Sequence, residues 1–170
     1  MNAWTALRRP LLVAFVLGCA VSLMTSGRLT LRLVAPATLY WTFIPLCEIG
    51  SLAVVARGRK MPFARLIDTY FESHTAWLLW VVGFAAVWVF VPPGTAYHWF
   101  DDNRLRYGSA ALVFAWSAWL DFRFFRRILD RTPGRAARDL TIQRLLAWAV
   151  GFAIFVTPAG WQVVSSALGL

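Results

Sequence analysis

Five apolar runs alternate along the chain with shorter segments that are rich in arginine, glycine or proline. The runs cover approximately residues 10–26, 33–56, 75–92, 105–125 and 145–168. An α-helix needs about 20 apolar residues to cross the hydrocarbon core of a bilayer, and these runs approach that length. The pattern therefore predicts an all-α fold, a polytopic membrane helical bundle of five transmembrane helices in a single domain that covers residues 1–170.

Two further segments have the pattern of amphipathic helices. In "MPFARLIDTYFESH", residues 61–74, apolar positions recur at helical spacing while the charges fall on the opposing side. Such a helix is typical of the headgroup plane of a membrane. Before the fifth run, Thr132 and Pro133 form a helix start, so a second interfacial helix is expected to lead directly into that run. Pro158 interrupts the run itself.

Composition supports a membrane location over a soluble one. Of the 170 residues, 59% are hydrophobic and 15% are charged, whereas soluble domains have about 45–50% apolar and about 25% charged residues. The net charge of +9 would suggest nucleic acid in a soluble protein. No nucleic-acid partner is predicted here, because the chain has no RNA-binding signature and basic residues of membrane proteins collect on the cytoplasmic side.

The distribution of basic residues predicts the orientation. Thirteen of the 17 Lys and Arg residues fall in the N-terminal segment and in the loops after the second and fourth runs. This bias predicts a cytoplasmic N-terminus and a C-terminus outside, in a bacterial cytoplasmic (inner) membrane. Membrane lipids are the expected partners, because the cytoplasmic face attracts anionic headgroups. The residues predicted to bind headgroups are Arg57, Arg59, Lys60, Arg126, Arg131, Arg135 and Arg138.

The two cysteines are predicted to be small core residues. Cys19 ends a "VLGC" stretch that is loosely like a lipoprotein cleavage box, but the apolar run continues beyond it, which favours a retained helix. Cys47 has no partner at metal-ligand spacing.

Glu48 is the residue that the predicted transmembrane arrangement explains least. It lies inside the second apolar run, about eight residues or roughly 12 Å from its basic end. A bare carboxylate there costs several kcal/mol, so it must be paired, hydrated or protonated. Two interpretations stay open. Glu48 forms a structural ion pair with Arg123 or Arg127, or it binds a ligand or handles a proton beside a kink at Pro45.

Asp121 and Arg123, near the cytoplasmic end of the fourth run, complete the set of candidate intramembrane polar residues with Glu48 and Arg127. Long basic side chains at helix ends commonly reach the interface, so the simpler expectation for Asp121 and Arg123 is interfacial contact.

The outer loop offers a weak candidate metal or proton-relay site at His98, Asp101 and Asp102. The ligand set is incomplete for any particular metal geometry. An acidic residue at this position is also an ordinary N-cap for the fourth helix, which we favour. No metal and no cofactor are predicted.

The segment "AWTALRRP", with Trp4 and Pro10, is similar to the tryptophan and proline that precede the membrane domain in bacterial members of the Yip1 family. The resemblance extends in arrangement over nearly the whole chain. It implies five spans, a cytoplasmic N-terminus and a very short C-terminal tail, and it carries over no functional residue.

These patterns favour a small integral membrane protein that acts as a scaffold, as an accessory subunit, or as a binder of lipid or of a lipophilic molecule. An alternative is a transporter or channel subunit that oligomerises, with Glu48 lining the path. A second alternative is a membrane enzyme, for which His98, Asp101 and Asp102 are the only polar constellation. A homo-oligomer or a larger membrane complex fits the first two classes.

Overall fold

The computed structural model describes residues 3–57, 61–156 and 162, and within this part of the chain the regular elements are helical. The α-helices are α1 (Ala3–Ser26), α2 (Leu31–Trp41), α3 (Phe43–Val55), α4 (Phe63–Tyr70), α5 (Thr75–Phe90), α6 (Pro93–Asp101), α7 (Asn103–Arg127) and α8 (Pro133–Val156). A 3-10 helix, Phe71–His74, joins α4 to α5 without a loop.

Three helical stretches among the described residues are long and apolar enough to cross a membrane, namely Ala6–Ser26, Leu31–Val55 and Phe63–Phe90. Their outer surfaces carry large apolar side chains, such as Leu39 at 77% exposure and Phe90 at 84%. Extensive exposed apolar surface marks contact with a membrane or a partner rather than with water. The described part of the chain is therefore helical, and three of its stretches have the length and composition of membrane-spanning helices.

The second predicted span is divided in two. Helices α2 and α3 meet at Thr42, three residues before Pro45. Proline has no amide hydrogen and its ring collides with the carbonyl of the residue four positions earlier, here Trp41. The helix is thus interrupted next to the position where Pro45 was expected to act, and α3 is the part that carries Glu48.

The segment predicted to lie in the headgroup plane is instead packed inside the protein. Leu66 and Tyr70 of α4 are each 1% exposed, and Phe71 is 3% exposed. They form one hydrophobic core with residues of α1, α3 and α7, among them Val13 and Leu52. The apolar face predicted to meet lipid therefore packs on the protein core, because an amphipathic helix can bury this face against either.

The charged side of α4 is also engaged by the protein. Arg9 of α1 lies with Nε 3.2 Å from Asp68 Oδ1 and with Nη1 2.6 Å from Glu72 Oε1. Its Nη1 also donates to the backbone carbonyl of Asp68 at 2.9 Å. Arg9 therefore fixes α4 against the first span, in addition to contributing to the charge bias of the N-terminal segment.

Helices α1 and α2 approach closely at Gly18. A Cβ placed on Gly18 would collide with Thr38 Oγ1 and would lie 2.9 Å from the Thr38 amide nitrogen and 3.0 Å from the Val34 carbonyl oxygen. Small residues at such crossings let helix backbones pack closely in membranes. The pairing of the first two spans therefore depends on the absence of a side chain at this position.

Helix α8 begins at Pro133, as the Thr132–Pro133 pattern predicts, and continues without a break to Val156. The rest of the predicted fifth run, including Pro158, lies outside the described residues apart from residue 162, and so do Arg59 and Lys60. The predicted outer loop contains a helix of its own, α6, which ends just before α7.

Helices α3 and α8 run antiparallel and form a long contact that we name the α3–α8 seam. At one end, Arg131 Nη2 donates to the carbonyl oxygen of Val55 at 3.1 Å. Next along the seam, Gln143 Nε2 donates to Ser51 Oγ at 3.2 Å. At the far end, Gly151 faces the ring of Phe43. The two polar contacts lie on one half of the seam, and apolar residues line the other half.

Arg131, one of the residues predicted to bind headgroups, makes contacts within the protein. Its Nε lies 2.8 Å from Asp139 Oδ2, and Asp139 is almost completely buried. Arg131 is half-buried and joins the loop before α8 to the end of α3 and to the first part of α8. By contrast, four of the other predicted headgroup-binding residues are exposed, namely Arg57, Arg126, Arg135 and Arg138.

Candidate functional site

A cavity of about 230 Å³ lies inside the bundle, between α1, α3, α5, α7 and α8 and the 3-10 helix. We name it the polar cavity. Most of its wall is aliphatic or aromatic, and against that background stand seven residues with polar side chains. These are Glu48, Tyr70, His74, Ser117, Asp121, Gln143 and Arg144.

The first polar contact in the cavity joins α3 to the 3-10 helix. His74 Nε2 lies 2.7 Å from Glu48 Oε2. The imidazole is 9% exposed and the carboxylate 20%. The ring of Phe71 stacks on the imidazole, with centroids 4.6 Å apart and planes 22° from parallel. A nitrogen and an oxygen this close share a proton, so the pair holds one hydrogen between two titratable side chains.

This partner differs from the one expected for Glu48. The expected ion pair was with Arg123 or Arg127, which lie near the end of α7. Arg123 instead lies over the ring of Trp119, at 4.5 Å from its centroid. Arg127 is exposed. Neither arginine lines the polar cavity.

The second polar contact joins α7 to α8. Arg144 Nη2 lies 2.8 Å from Asp121 Oδ2 and 2.9 Å from Ser117 Oγ. The Arg144 guanidinium also lies 4.8 Å from the centroid of the Phe114 ring. Asp121 is 2% exposed, so its carboxylate is surrounded by protein groups. The charges of Arg144 and Asp121 therefore neutralise each other at hydrogen-bond distance, as a buried ion pair requires.

Ser73 links the two contacts. Its Oγ lies 2.6 Å from Asp121 Oδ1 and 2.7 Å from the carbonyl oxygen of Tyr70. The distance from Ser73 Oγ to His74 Nδ1 is 3.5 Å, which is long for a hydrogen bond. Ser73 therefore orients Asp121 directly and contacts His74 only weakly.

The charges of the cavity do not balance without a further positive charge. Glu48 and Asp121 supply two carboxylates, and Arg144 supplies one permanent cation. Net charge inside a membrane costs several kcal/mol unless it is neutralised. One additional proton or one bound cation would neutralise the site, and His74 next to Glu48 is where a proton would be held.

A second depression opens beside the cavity along the apolar half of the α3–α8 seam. We name it the seam groove. Its volume is about 440 Å³. The residues that line it are Phe43, Ile44, Cys47, Glu48, Ala147, Trp148, Gly151 and Phe152. Four of them, including Glu48 and Trp148, also line the polar cavity. Glu48 thus lies at the boundary between the two spaces.

The outer-loop candidates do not come together as a site. His98, Asp101 and Asp102 are exposed. Asp102 Oδ1 accepts a hydrogen bond from the Arg104 amide at 2.8 Å, which confirms the predicted N-cap. Among the described residues, no group of three or more His, Cys, Asp and Glu side chains is placed to hold a metal ion.

Sequence reasoning found Glu48 and Asp121 but missed His74, Ser117, Gln143 and Arg144. A signal for some of them was present, because Ser117 and Asp121 lie four residues apart on α7 and thus share one face of an otherwise apolar helix. Arg144 was counted with the basic loop before the fifth run. Since α8 begins three helical turns earlier, Arg144 lies well inside the helix.

No family model, curated protein or solved structure matches the chain. The resemblance to the Yip1 family therefore stays a prediction.

Proposed function

We propose that this chain is a five-span protein of the bacterial inner membrane with a cytoplasmic N-terminus and an outer C-terminus. Two features support this topology beyond the three apolar stretches. Helix α7 packs against α5 and α8, and α8 packs against α3, so both lie within the same bundle as the apolar spans. The exposed arginines Arg57, Arg126 and Arg135 follow the side that the basic bias assigns to the cytoplasm.

We further propose that the protein binds a lipid or a small lipophilic molecule with a polar head group, in the polar cavity and the seam groove. The supporting observation is the position of Glu48, which lines both a cavity with buried charges and an apolar groove that opens beside it. A protein that served only as a scaffold would gain stability from filling this space, because cavities and buried ion pairs both reduce stability. A ligand explains why the space and its charges are present.

The polar cavity and the seam groove differ in size, and each would suit a different part of the ligand. Pockets that enclose a drug-sized molecule measure roughly 300–1,000 Å³, and the polar cavity is smaller at about 230 Å³. It suits a head group. The groove, at about 440 Å³, is apolar along Phe43 and Phe152 and suits a hydrocarbon tail. The ligand would enter sideways from the lipid, between α3 and α8.

A transporter or channel subunit is the second candidate. The position of Glu48 between the two spaces favours it, because a charge at such a boundary meets whatever passes. Five helices would then form a complete path only in an oligomer. An enzyme has less support, since Ser73, the hydroxyl next to His74, contacts Asp121 and does not line the cavity. Ser117 does line the cavity, but its hydroxyl contacts Arg144 at 2.9 Å.

Native mass spectrometry of protein extracted gently from its source membrane tests the binding proposal. Wild type is expected to retain a lipid or lipophilic molecule. Ala147 is 7% exposed and lines both spaces, so Ala147→Phe is expected to displace that molecule. Leu112→Phe is the matched control, because Leu112 is 74% exposed on α7.

Two results would count against ligand binding. Wild type that is recovered without any small molecule, but with a second protein attached, would indicate an accessory subunit. Equal retention in wild type and Ala147→Phe would place the bound lipid elsewhere, on the outer surface of the bundle.

A further inference from the structure

We propose that the ligand is a lipophilic ammonium-type cation, and that its head group replaces the additional proton that neutralises the Glu48–His74 pair. This inference rests on the proposed binding function and specifies the chemistry of the same site. It follows from three observations, namely the charge balance of the cavity, the free acceptor on Glu48, and the aromatic walls.

One exchangeable positive charge would neutralise the cavity. The titratable or charged groups that face Glu48 are His74 from the 3-10 helix, Tyr70 from α4, Asp121 from α7 and Arg144 from α8. Helices α1 and α5 contribute only side chains without titratable groups, such as Val13 and Leu78. With Tyr70 neutral, the Asp121–Arg144 pair cancels, and the charge of Glu48 remains for a proton or a ligand cation to compensate.

The acceptor that is open to a ligand belongs to Glu48. Within the described residues, its Oε2 contacts His74, whereas no hydrogen bond involves its Oε1. Glu48 is also more exposed than the other three charged or titratable partners, His74, Asp121 and Arg144. An anionic head group would instead have to separate Arg144 from Asp121, which would leave a nearly buried carboxylate unpaired.

The walls suit an organic cation. Trp77 and Trp148 line the polar cavity with Glu48, and Trp148 continues into the seam groove. The faces of tryptophan rings attract ammonium groups, by about 0.5–2 kcal/mol each depending on desolvation. Hard metal cations such as Ca²⁺ take six to eight oxygen ligands, and the single free oxygen of Glu48 with aromatic neighbours does not resemble that set.

The exchange conserves charge and atoms. Before binding, the Glu48–His74 pair holds one proton more than a carboxylate beside a neutral imidazole, and the cavity is neutral. When the ammonium ion approaches Glu48, that additional proton leaves to the solvent, the neutral imidazole keeps its own N–H toward Glu48, and the ligand supplies the positive charge. One proton is therefore released for each cation bound, and no net charge enters the membrane interior.

The test uses the full chain in nanodiscs of uncharged lipid with three probes that share one alkyl chain, namely dodecyltrimethylammonium, dodecanol and dodecyl sulfate. Binding is followed by titration calorimetry in two buffers of different ionisation enthalpy, which gives the protons released. We expect saturable binding of the ammonium probe and release of about one proton. The apparent Kd of the ammonium probe is expected to fall about tenfold for each unit by which the pH rises, over the pH range in which the site is protonated in the free protein.

The matched variants are Glu48→Gln and Glu72→Gln. Glu48→Gln is expected to weaken binding of the ammonium probe at least about tenfold and to abolish proton release. Glu72→Gln makes the same chemical change at an exposed carboxylate paired with Arg9, and we expect wild-type binding and proton release. If Glu48→Gln does not fold, the proton count and pH dependence of wild type decide the question alone.

The outcomes separate this inference from the proposal on which it rests. Saturable binding of dodecanol or dodecyl sulfate that equals or exceeds that of the ammonium probe would keep a binding function and overturn the cation. Ammonium binding without proton release would overturn the exchange. Failure of all three probes to saturate the protein would overturn the binding function, and the inference with it.

Discussion

The imidazole of His74 lies 2.7 Å from the carboxylate of Glu48, although the two residues are 26 positions apart and belong to different helical elements. The contact answers how an acid is accommodated in an apolar helix. Glu48 does not reach for a basic side chain at the cytoplasmic end of α7. It meets a histidine whose ring is held by Phe71, next to a cavity that has a net charge to balance.

Removing the histidine is expected to leave Glu48 without its partner. We predict that His74→Phe, which preserves ring contact with Phe71, lowers the free energy of unfolding by roughly 1–3 kcal/mol, the cost of an unsatisfied buried polar group. The double variant His74→Phe/Glu48→Leu is expected to lose at least about 1 kcal/mol less than the sum of the single changes. Unfolding in mixed micelles measures this, and additive values within about 0.5 kcal/mol would argue against coupling.

The Asp121–Arg144 pair is predicted to be more sensitive. Arg144→Met is expected to cost roughly 3–5 kcal/mol, because it leaves an uncompensated charge at Asp121, whose side chain is 3% exposed. Adding Asp121→Asn is expected to recover most of that loss. The control is Arg127→Met, an exposed change on α7 that should stay within about 0.5 kcal/mol of wild type. Equal losses in Arg144→Met and Arg127→Met would contradict a structural role for this pair.

Gly18 is predicted to tolerate no side chain. Gly18→Ala is expected to destabilise the protein by roughly 1–3 kcal/mol, because the new Cβ meets backbone atoms of α2 that have no room to move. Gly83→Ala is the matched control, since a Cβ on Gly83 in the middle of α5 meets no other atom within 4 Å. That change is expected to be neutral, or to stabilise by up to about 1 kcal/mol through helix propensity. Thermal unfolding of both variants in the same detergent distinguishes these outcomes.

Arg131 is predicted to fasten the α3–α8 seam. Arg131→Met removes the hydrogen bond to the Val55 carbonyl and the ion pair with Asp139. We expect a loss of about 1–3 kcal/mol, moderated because Arg138 also contacts Asp139 at 3.1 Å. Arg135→Met, an exposed change one helical turn away, provides the baseline. Should the two variants unfold alike in mixed micelles, Arg131 would be an ordinary surface arginine.

The five-span topology predicts opposite locations for two loops. A single cysteine at Arg57 should be shielded from a membrane-impermeant thiol reagent added to intact cells, and one at Asp101 should react. Cys19 and Cys47 are first replaced by serine to give a silent background. The predicted topology places one membrane crossing between positions 57 and 101. If both cysteines reacted with the reagent from outside, or if neither did, this topology would be contradicted.

Local features of the fold follow from the sequence because they depend on neighbouring residues. The start of α8 at Thr132–Pro133, the cap at Asp102 and the break before Pro45 each reflect one side chain acting on its own backbone. The position of α4 does not follow, since its apolar face fits lipid and protein alike. The partner of Glu48 does not follow either, because it depends on how distant helices are placed against one another.

Part of the candidate site was within reach of the sequence. Glu48 and Asp121 are acids in apolar helices, and such residues are functional candidates by default. His74 and Arg144 were assigned to segments outside the spans, because run boundaries were drawn where apolar residues end. In the structure the helices continue past those boundaries, so both side chains lie against the cavity.

The arrangement of contacts along the α3–α8 seam gives the two helices the mechanics of a hinge. Arg131 and Gln143 hold one half closed, whereas beyond Glu48 the helices meet only through apolar residues such as Phe43 and Gly151. If the two helices separated, the opening would begin at the Phe43 end and widen toward Glu48. A molecule leaving the cavity would wait on this opening, so its residence time would respond to the bulk of residue 151 as well as to the charge of residue 48.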